Sequence, residues 1–165
     1  MAAHVVLHGR LTRLVPTTED DVDLLARWFG SLDFVEHWGG VPLSRDEVAR
    51  KYVGRRRPSV ESFLVRVHST GTPVGYAQYW HAGAAEGGID MVLGPQARGR
   101  GLGPDATRAL LAHLGGRLGW RRVTVDPLRE NRRAVRAWEK AGFRQVSNEA
   151  EELLMEYDLS AAGEE

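Results

Sequence analysis

The sequence predicts an α/β fold built on a central, largely antiparallel sheet with about four flanking helices. Three observations carry that prediction. Short apolar runs of strand length alternate with turn residues, two capping signals open helices, and a glycine-rich stretch separates one strand from one helix. The elements follow the order β-α-α-β-β-β-α-β-α-β-β. The 165 residues fit a single domain, spanning 1–165 with a core over about 10–159 and a frayed tail over 160–165.

Residues 4–15 read as the first strand. Pro16-Thr17-Thr18-Glu19-Asp20-Asp21 then starts a helix, with a threonine cap and acids in the first turn. Val22, Leu24, Leu25, Trp28 and Phe29 give that helix its apolar face. Ser44 and Glu47 form a capping box for a short helix ending at Tyr52. Residues 62–67 and 74–80 read as a hairpin across Ser69-Thr70-Gly71-Thr72-Pro73. Residues 87–93 form a further strand, which enters the stretch Arg98-Gly99-Arg100-Gly101-Leu102-Gly103-Pro104-Asp105. Residues 106–114 follow as an amphipathic helix. Residues 122–125 are a short strand ended by Asp126-Pro127. Asn131 caps a helix that Gly142 stops, and residues 143–146 and 153–159 close the chain as a hairpin.

Composition removes several function classes. Basic and acidic residues number 22 each, so no global field favours nucleic acid or an anionic membrane. Arg55-Arg56-Arg57 reads as a solvated loop, because no aromatic residues interleave with it. Without cysteine there is no disulfide, thiolate zinc site or cysteine nucleophile. His4 and His8 have HxxxH spacing, but on a strand they stand roughly 13 Å apart, too far to share a metal. No metal is expected. No apolar run has membrane-span length, and the first residues lack a signal-peptide pattern, so a cytoplasmic protein, monomer or homodimer, is expected.

The glycine stretch predicts a phosphate-bearing ligand. Glycines remove the Cβ atoms that would hold an anion away, the helix N-terminus adds its dipole, and Arg98 and Arg100 add charge. A P-loop would end in Gly-Lys-Ser/Thr, whereas Gly103 is followed by Pro104-Asp105. A dinucleotide fingerprint would be GxGxxG within a parallel βαβ unit, whereas Gly99, Gly101 and Gly103 are spaced GxGxG. A glycine-rich turn without a ligand is the structural alternative.

Gln96-x-x-Gly99-x-Gly101-Leu102-Gly103 resembles the pyrophosphate loop of the GNAT N-acetyltransferases. Asn131-x-x-Ala134-x-x-x-Trp138-Glu139-Lys140-x-Gly142-Phe143 resembles their second motif. The resemblance covers about residues 10–159. It implies a sheet splayed at an acetyl-CoA site and contacts to that co-substrate from Met91, Val92, Leu93, Arg98, Gly99, Arg100, Gly101, Leu102, Gly103, Asn131, Ala134 and Trp138. Segments 35–40, 74–78, 88–90 and 124–127 are similar to those of aminoglycoside 6′-N-acetyltransferases. Related siderophore lysine acyltransferases tend to carry a histidine where Asp90 stands.

The implied function is acetyl transfer from acetyl-CoA to a primary amine of a small cationic acceptor, first an aminoglycoside. A siderophore lysine, a polyamine, a protein N-terminus, or a CoA-binding sensor with little turnover are the alternatives. Asp90 is the candidate catalytic residue, since a carboxylate there can bind an ammonium group and accept its proton; a structural aspartate at a bulge is the alternative. Asp126, Trp38, Tyr76 and Gln78 are candidate acceptor contacts. Turn chemistry would equally account for Asp126, and core packing for Trp38. Trp138 replaces the usual family tyrosine and has no useful acidity, so no general acid is assigned.

Overall fold

Alternation builds the sheet. In the strand Thr12–Pro16 every second residue is fully buried, the period that places one face on a core. The computed structural model describes residues 5–147 and 152–162. Its strands are β1 (Leu7–His8), β2 (Thr12–Pro16), β3 (Val60–Val67), β4 (Pro73–Gly83), β5 (Glu86–Leu93), β6 (Arg122–Val125), β7 (Arg144–Ser147) and β8 (Leu154–Asp158). They form one sheet in the order β1-β2-β3-β4-β5-β6-β8-β7. The helices are α1 (Val22–Phe29), α2 (Leu32–Val35), α3 (Arg45–Tyr52), α4 (Leu102–Ala112), α5 (Arg132–Ala141) and α6 (Leu159–Ala162).

Two cores cover the two faces. Phe63, Val65, Ala77, Tyr79 and Ile89 pack beneath Ala106, Leu110 and Leu114 on the α4 side. Leu64, Tyr76 and Val92 point the other way, against Leu25, Phe29, Phe34, Val48 and Tyr52 of the first three helices. Alternate residues of β3, β4 and β5 thus serve opposite cores, as strand geometry requires.

One pairing in the sheet differs from the rest. β5 and β6 run parallel, whereas the other named pairs are antiparallel. Their register extends only from Glu86↔Arg122 to Gly88↔Thr124. Beyond Gly88, β5 continues to Leu93 alongside β4 alone. The sheet therefore splays into a gap between β5 and β6, as the family resemblance implied.

Several elements differ from the sequence expectation. The first strand is broken at residues 9–11, because the backbone N–H groups of Arg10, Leu11 and Thr12 turn to the Asp105 carboxylate. Its expected start at His4 lies outside the described residues. The helix after the glycine stretch begins at Leu102 rather than 106, since Pro104 fits a first turn that needs no N–H from it. It ends in a π-helical turn over His113–Arg117. The first helix opens with a 3-10 turn, Glu19–Asp21, capped by Thr18 with Asp21 reciprocating. The helical turn Leu32–Val35 has no counterpart in the sequence reading. Leu159–Ala162 is helical rather than strand end and tail, and residues 163–165 lie outside the described residues.

Candidate active site

Asp90 lies two residues beyond Gly88, and Asp126 two residues beyond Thr124, the last pair joining β5 to β6. Equal offsets from one register point bring both acids to the mouth of the gap. Glu152 joins them: it bridges Leu128, which holds it beside the turn that follows β6. Sequence reasoning missed Glu152. It belongs to a short acidic run, but only a long-range bridge places it here.

Asp90 is held from one side. Its Oδ2 accepts from Gln78 Nε2 at 2.9 Å and from Trp80 Nε1 at 3.1 Å. Among the described residues no partner is present for Oδ1. Burial pushes the Asp90 carboxyl above the usual range, opposed by those two bonds and the Arg56 charge, while Glu152 pushes it higher. Asp126 is reachable from solvent, yet partial enclosure of its carboxyl, the charge of Asp90 and a hydrogen bond with Glu152 push it up to about 6. Like charges at close range favour one shared proton over full ionisation.

A second layer fixes Gln78. Its Oε1 accepts from Arg56 Nη2 at 2.9 Å and from the Tyr76 hydroxyl at 2.8 Å. The amide thereby turns its NH₂ toward Asp90. Arg56 also stands 5.5 Å over the Tyr52 ring, and the Tyr52 hydroxyl accepts from Trp38 Nε1 at 2.8 Å. The reading of residues 55–57 as a solvated loop is corrected here. Arg56 is bonded into the site, and Arg57 binds Glu61 and the carbonyls of Thr17 and Ser62. Tandem arginines conceal such partners in sequence, because Arg56 turns to Gln78 on β4 and Arg57 to Glu61 and Ser62 on β3.

Trp80 reaches Asp90 because Gly88 has no side chain. A Cβ there would lie 2.1 Å from the Trp80 indole. Trp38 packs edge-on to Phe29, Tyr52 and Tyr76 while remaining half-buried, so it is both core and wall. Tyr76 is wholly buried, with its hydroxyl bonded to Ser62 and Gln78. It reaches the mouth only through Gln78.

The gap's wall is backbone. Gly94 N donates to Val74 O, and antiparallel ladders alternate. Asp90 and Val92 therefore bond back to β4, while the peptide groups of Met91 and Leu93 face the gap. The Leu93 carbonyl is taken by Arg98 Nε at 3.3 Å, and Arg98 Nη2 reaches the Asp33 carbonyl. Arg98 thus ties the glycine loop to α2. Gly99 and Gly101 hold φ of 76° and 79°, where only glycine sits without strain. Gly101 caps α4, leaving the N–H groups of Leu102 and Gly103 without intrahelical partners. Asn131 Oδ1 caps α5 at Ala134 N, and Trp138 packs edge-on against Phe143.

A strand-flanked gap thus has a glycine cradle at one end and a cluster of acids at the other. The chain belongs to the GNAT acetyltransferase family: residues 10–144 match the family model described as an acetyltransferase (GNAT) domain. It is similar to the aminoglycoside N(6′)-acetyltransferase type 1 proteins of Klebsiella pneumoniae and Serratia marcescens. Each is 32% identical over 76% of this chain and 70% of its own. It is also similar to the solved AAC(6′)-Ib in complex with ribostamycin and coenzyme A, at 26% identity and TM-score 0.82, covering 93% of this chain and 97% of that one. Spermidine N-acetyltransferase from Vibrio cholerae shares the fold at 16% identity and TM-score 0.78, covering 91% and 96%.

Proposed function

We propose that this acetyltransferase moves the acetyl group of acetyl-CoA to a primary amine on a polycationic small molecule, the 6′-amine of an aminoglycoside. One observation carries the reading: Asp90, Asp126 and Glu152 converge at the mouth of a gap that the peptide groups of Met91 and Leu93 face. The named activity of the curated relatives supports the acceptor, and the co-substrate in the AAC(6′)-Ib complexes supports acetyl-CoA. The residues present fit that co-substrate. A Cβ on Gly99 would meet nothing nearer than Arg133 at 3.9 Å, so the backbone of the cradle is open to an anion there.

When bound, acetyl-CoA supplies the thioester, and the chain's own groups do the rest. The Met91 N–H faces the gap and can polarise a carbonyl. Asp90 Oδ1 offers a seat for the attacking ammonium group, while Gln78 and Trp80 hold the other oxygen. An ammonium must lose a proton before it attacks. Asp126, sharing a hydrogen bond with Glu152 and raised to about 6, can take a proton near neutral pH. The rest of the acceptor's positive charge lies against the same acids. Trp138 donates no proton, so water protonates the departing thiolate. Attack is direct, with no cysteine to carry an acyl group.

The test is thiol release from acetyl-CoA with a matched pair of aminoglycosides bearing 6′-amine or 6′-hydroxyl, beside spermidine. Release with the 6′-amine compound alone is expected. Release with spermidine alone would replace the acceptor, and release with none of the three would remove polycations from the reading.

A further inference from the structure

Away from the gap, the outer strands of the sheet gather basic side chains in one place. The register sets His8 opposite Arg13 across β1 and β2... and Arg13 opposite Arg66 across β2 and β3. Their chain neighbours Leu7, Leu14, Val65 and Val67 pack on the α4 side, so these three side chains project from the other face. No residue of β1 or β2 belongs to the core beneath α1–α3 on that face. Arg13 and Arg66 are therefore half-buried and His8 is exposed. We infer that this trio is a seat for a tetrahedral oxyanion of the phosphate class, gripped by Arg13 and Arg66 with His8 at its edge. The seat spans β1–β3, whereas the gap opens between β5 and β6, so the oxyanion is not a reactant.

Unanswered charge carries the inference. Among the described residues, Arg13 Nε is the one buried side-chain nitrogen or oxygen without a hydrogen-bond partner. Burial strips water from that end of the guanidinium, and an enclosed donor left unmet costs stability. Like charges directly opposite on neighbouring strands, with Cβ atoms about 4.5–5.5 Å apart, add a second cost. Among the described residues neither Arg13 nor Arg66 meets a carboxylate, whereas Arg45, Arg55, Arg57, Arg108 and Arg122 each do. An oxyanion between the two guanidinium groups relieves both costs at once. The planar fork of arginine also fits its paired oxygens.

The seat is also preformed. Val67 N donates to Thr72 O at 2.8 Å and Gly71 N to Val67 O at 2.7 Å, which closes the turn between β3 and β4. Arg66 Nη1 donates to the Gly71 carbonyl at 2.8 Å, so that turn holds Arg66 in place. Arg13 Nη2 lies 3.1 Å from the point that a Cβ on Gly71 would occupy, and Gly71 holds φ of 77°. A side chain at that position would crowd the nitrogen, so the glycine keeps it within reach of a ligand. On the far side the His8 ring stands 5.8 Å from that of His68. Little ordering remains to be done on binding.

Melting curves in inorganic phosphate, against chloride at matched ionic strength, test the assignment. Saturating coenzyme A is present throughout, so that phosphate cannot act through the glycine cradle. The wild-type melting temperature is expected to rise saturably, by roughly 3–6 °C at a phosphate concentration tenfold above half-saturation. Arg13→Met and Arg66→Met should lose the saturable part and keep only the gradual rise that excluded anions give any protein. In chloride, Arg13→Met should melt no lower than wild type, because it removes an unmet donor and a like-charge contact. A saturable rise of equal size in both variants, or none in wild type, overturns the seat. So does a rise that appears only without coenzyme A, which would assign the phosphate to the cradle. An Arg13→Met chain that melts well below wild type in chloride, with the phosphate response intact, would make Arg13 a packing residue and overturn the seat as well.

Discussion

The two ends of the splayed gap carry opposite chemistry. At the mouth, three acids crowd together and are only partly satisfied: Asp90 has one oxygen without a partner among the described residues, and Asp126 is pushed up to about 6. At the glycine end, Asp105 is fully bonded and its carboxyl is held below the usual range by its backbone and Thr12 donors, with Arg10, Arg100 and Arg108 nearby. Both Asp90 and Asp105 are enclosed aspartates. What separates them is the number of donors facing each one: Asp105 accepts four bonds and Asp90 two. A carboxylate saturated by its own fold is a staple; one left half-satisfied beside like charges is available to a cation. A chain of zero formal charge thereby gathers acids at one end of the gap and arginines at the other.

Mutations at the two ends should separate this contrast. Asp90→Asn should lower turnover by about tenfold to a hundredfold, with thermal stability unchanged or raised, since the charge it removes is a disfavoured one. Steady-state kinetics beside a melting curve checks this. Asp105→Ala should do the reverse. Removing a buried acceptor strands three backbone N–H groups and costs about 3 kcal/mol of stability, read in urea unfolding. If Asp105→Ala instead left stability intact and stopped turnover, the division between the two ends would fail.

Arg56→Met should move the acid limb of activity to higher pH, because it removes a cation that favours ionised Asp90 and releases Gln78. Arg56→Lys should restore the limb in part. A limb that stays in place assigns Arg56 to packing over Tyr52 alone. The smallest effect is on stability at Asp126. A carboxyl raised from 3.8 to about 6 disfavours folding above its unfolded value, and the penalty grows as pH rises through the window between the two. Asp126→Asn should therefore raise the melting temperature near pH 7.5 by roughly 2–4 °C, discounted for its exposure, and should have no effect near pH 3.5. A melting temperature lowered at pH 7.5 would contradict that sign.

Most of the fold was legible because its elements announce themselves locally. Ser44 and Glu47 form the reciprocal cap expected of them, and Gly142 ends α5 with φ of 109°. The break at residues 9–11 was not legible, because its cause, Asp105, lies more than ninety residues away. At the site the pattern repeats. Asp90 could be singled out because it interrupts a mostly apolar strand, and Asp126 because it ends one. Glu152, Arg56 and Trp80 could not, since each acts through a partner that only the sheet register brings near. Tyr76 looked like a pocket residue because strand alternation cannot tell a wall from the core behind it.

The central claim is that amine recognition and phosphate recognition occupy separate ends of one gap. Separate calorimetric titrations of Asp90→Asn test it directly, one with acetyl-CoA and one with a 6′-amino aminoglycoside in the presence of coenzyme A. The account predicts wild-type affinity for acetyl-CoA and at least about tenfold weaker binding of the aminoglycoside. Equal weakening of both ligands, or an aminoglycoside affinity that does not change, would contradict it.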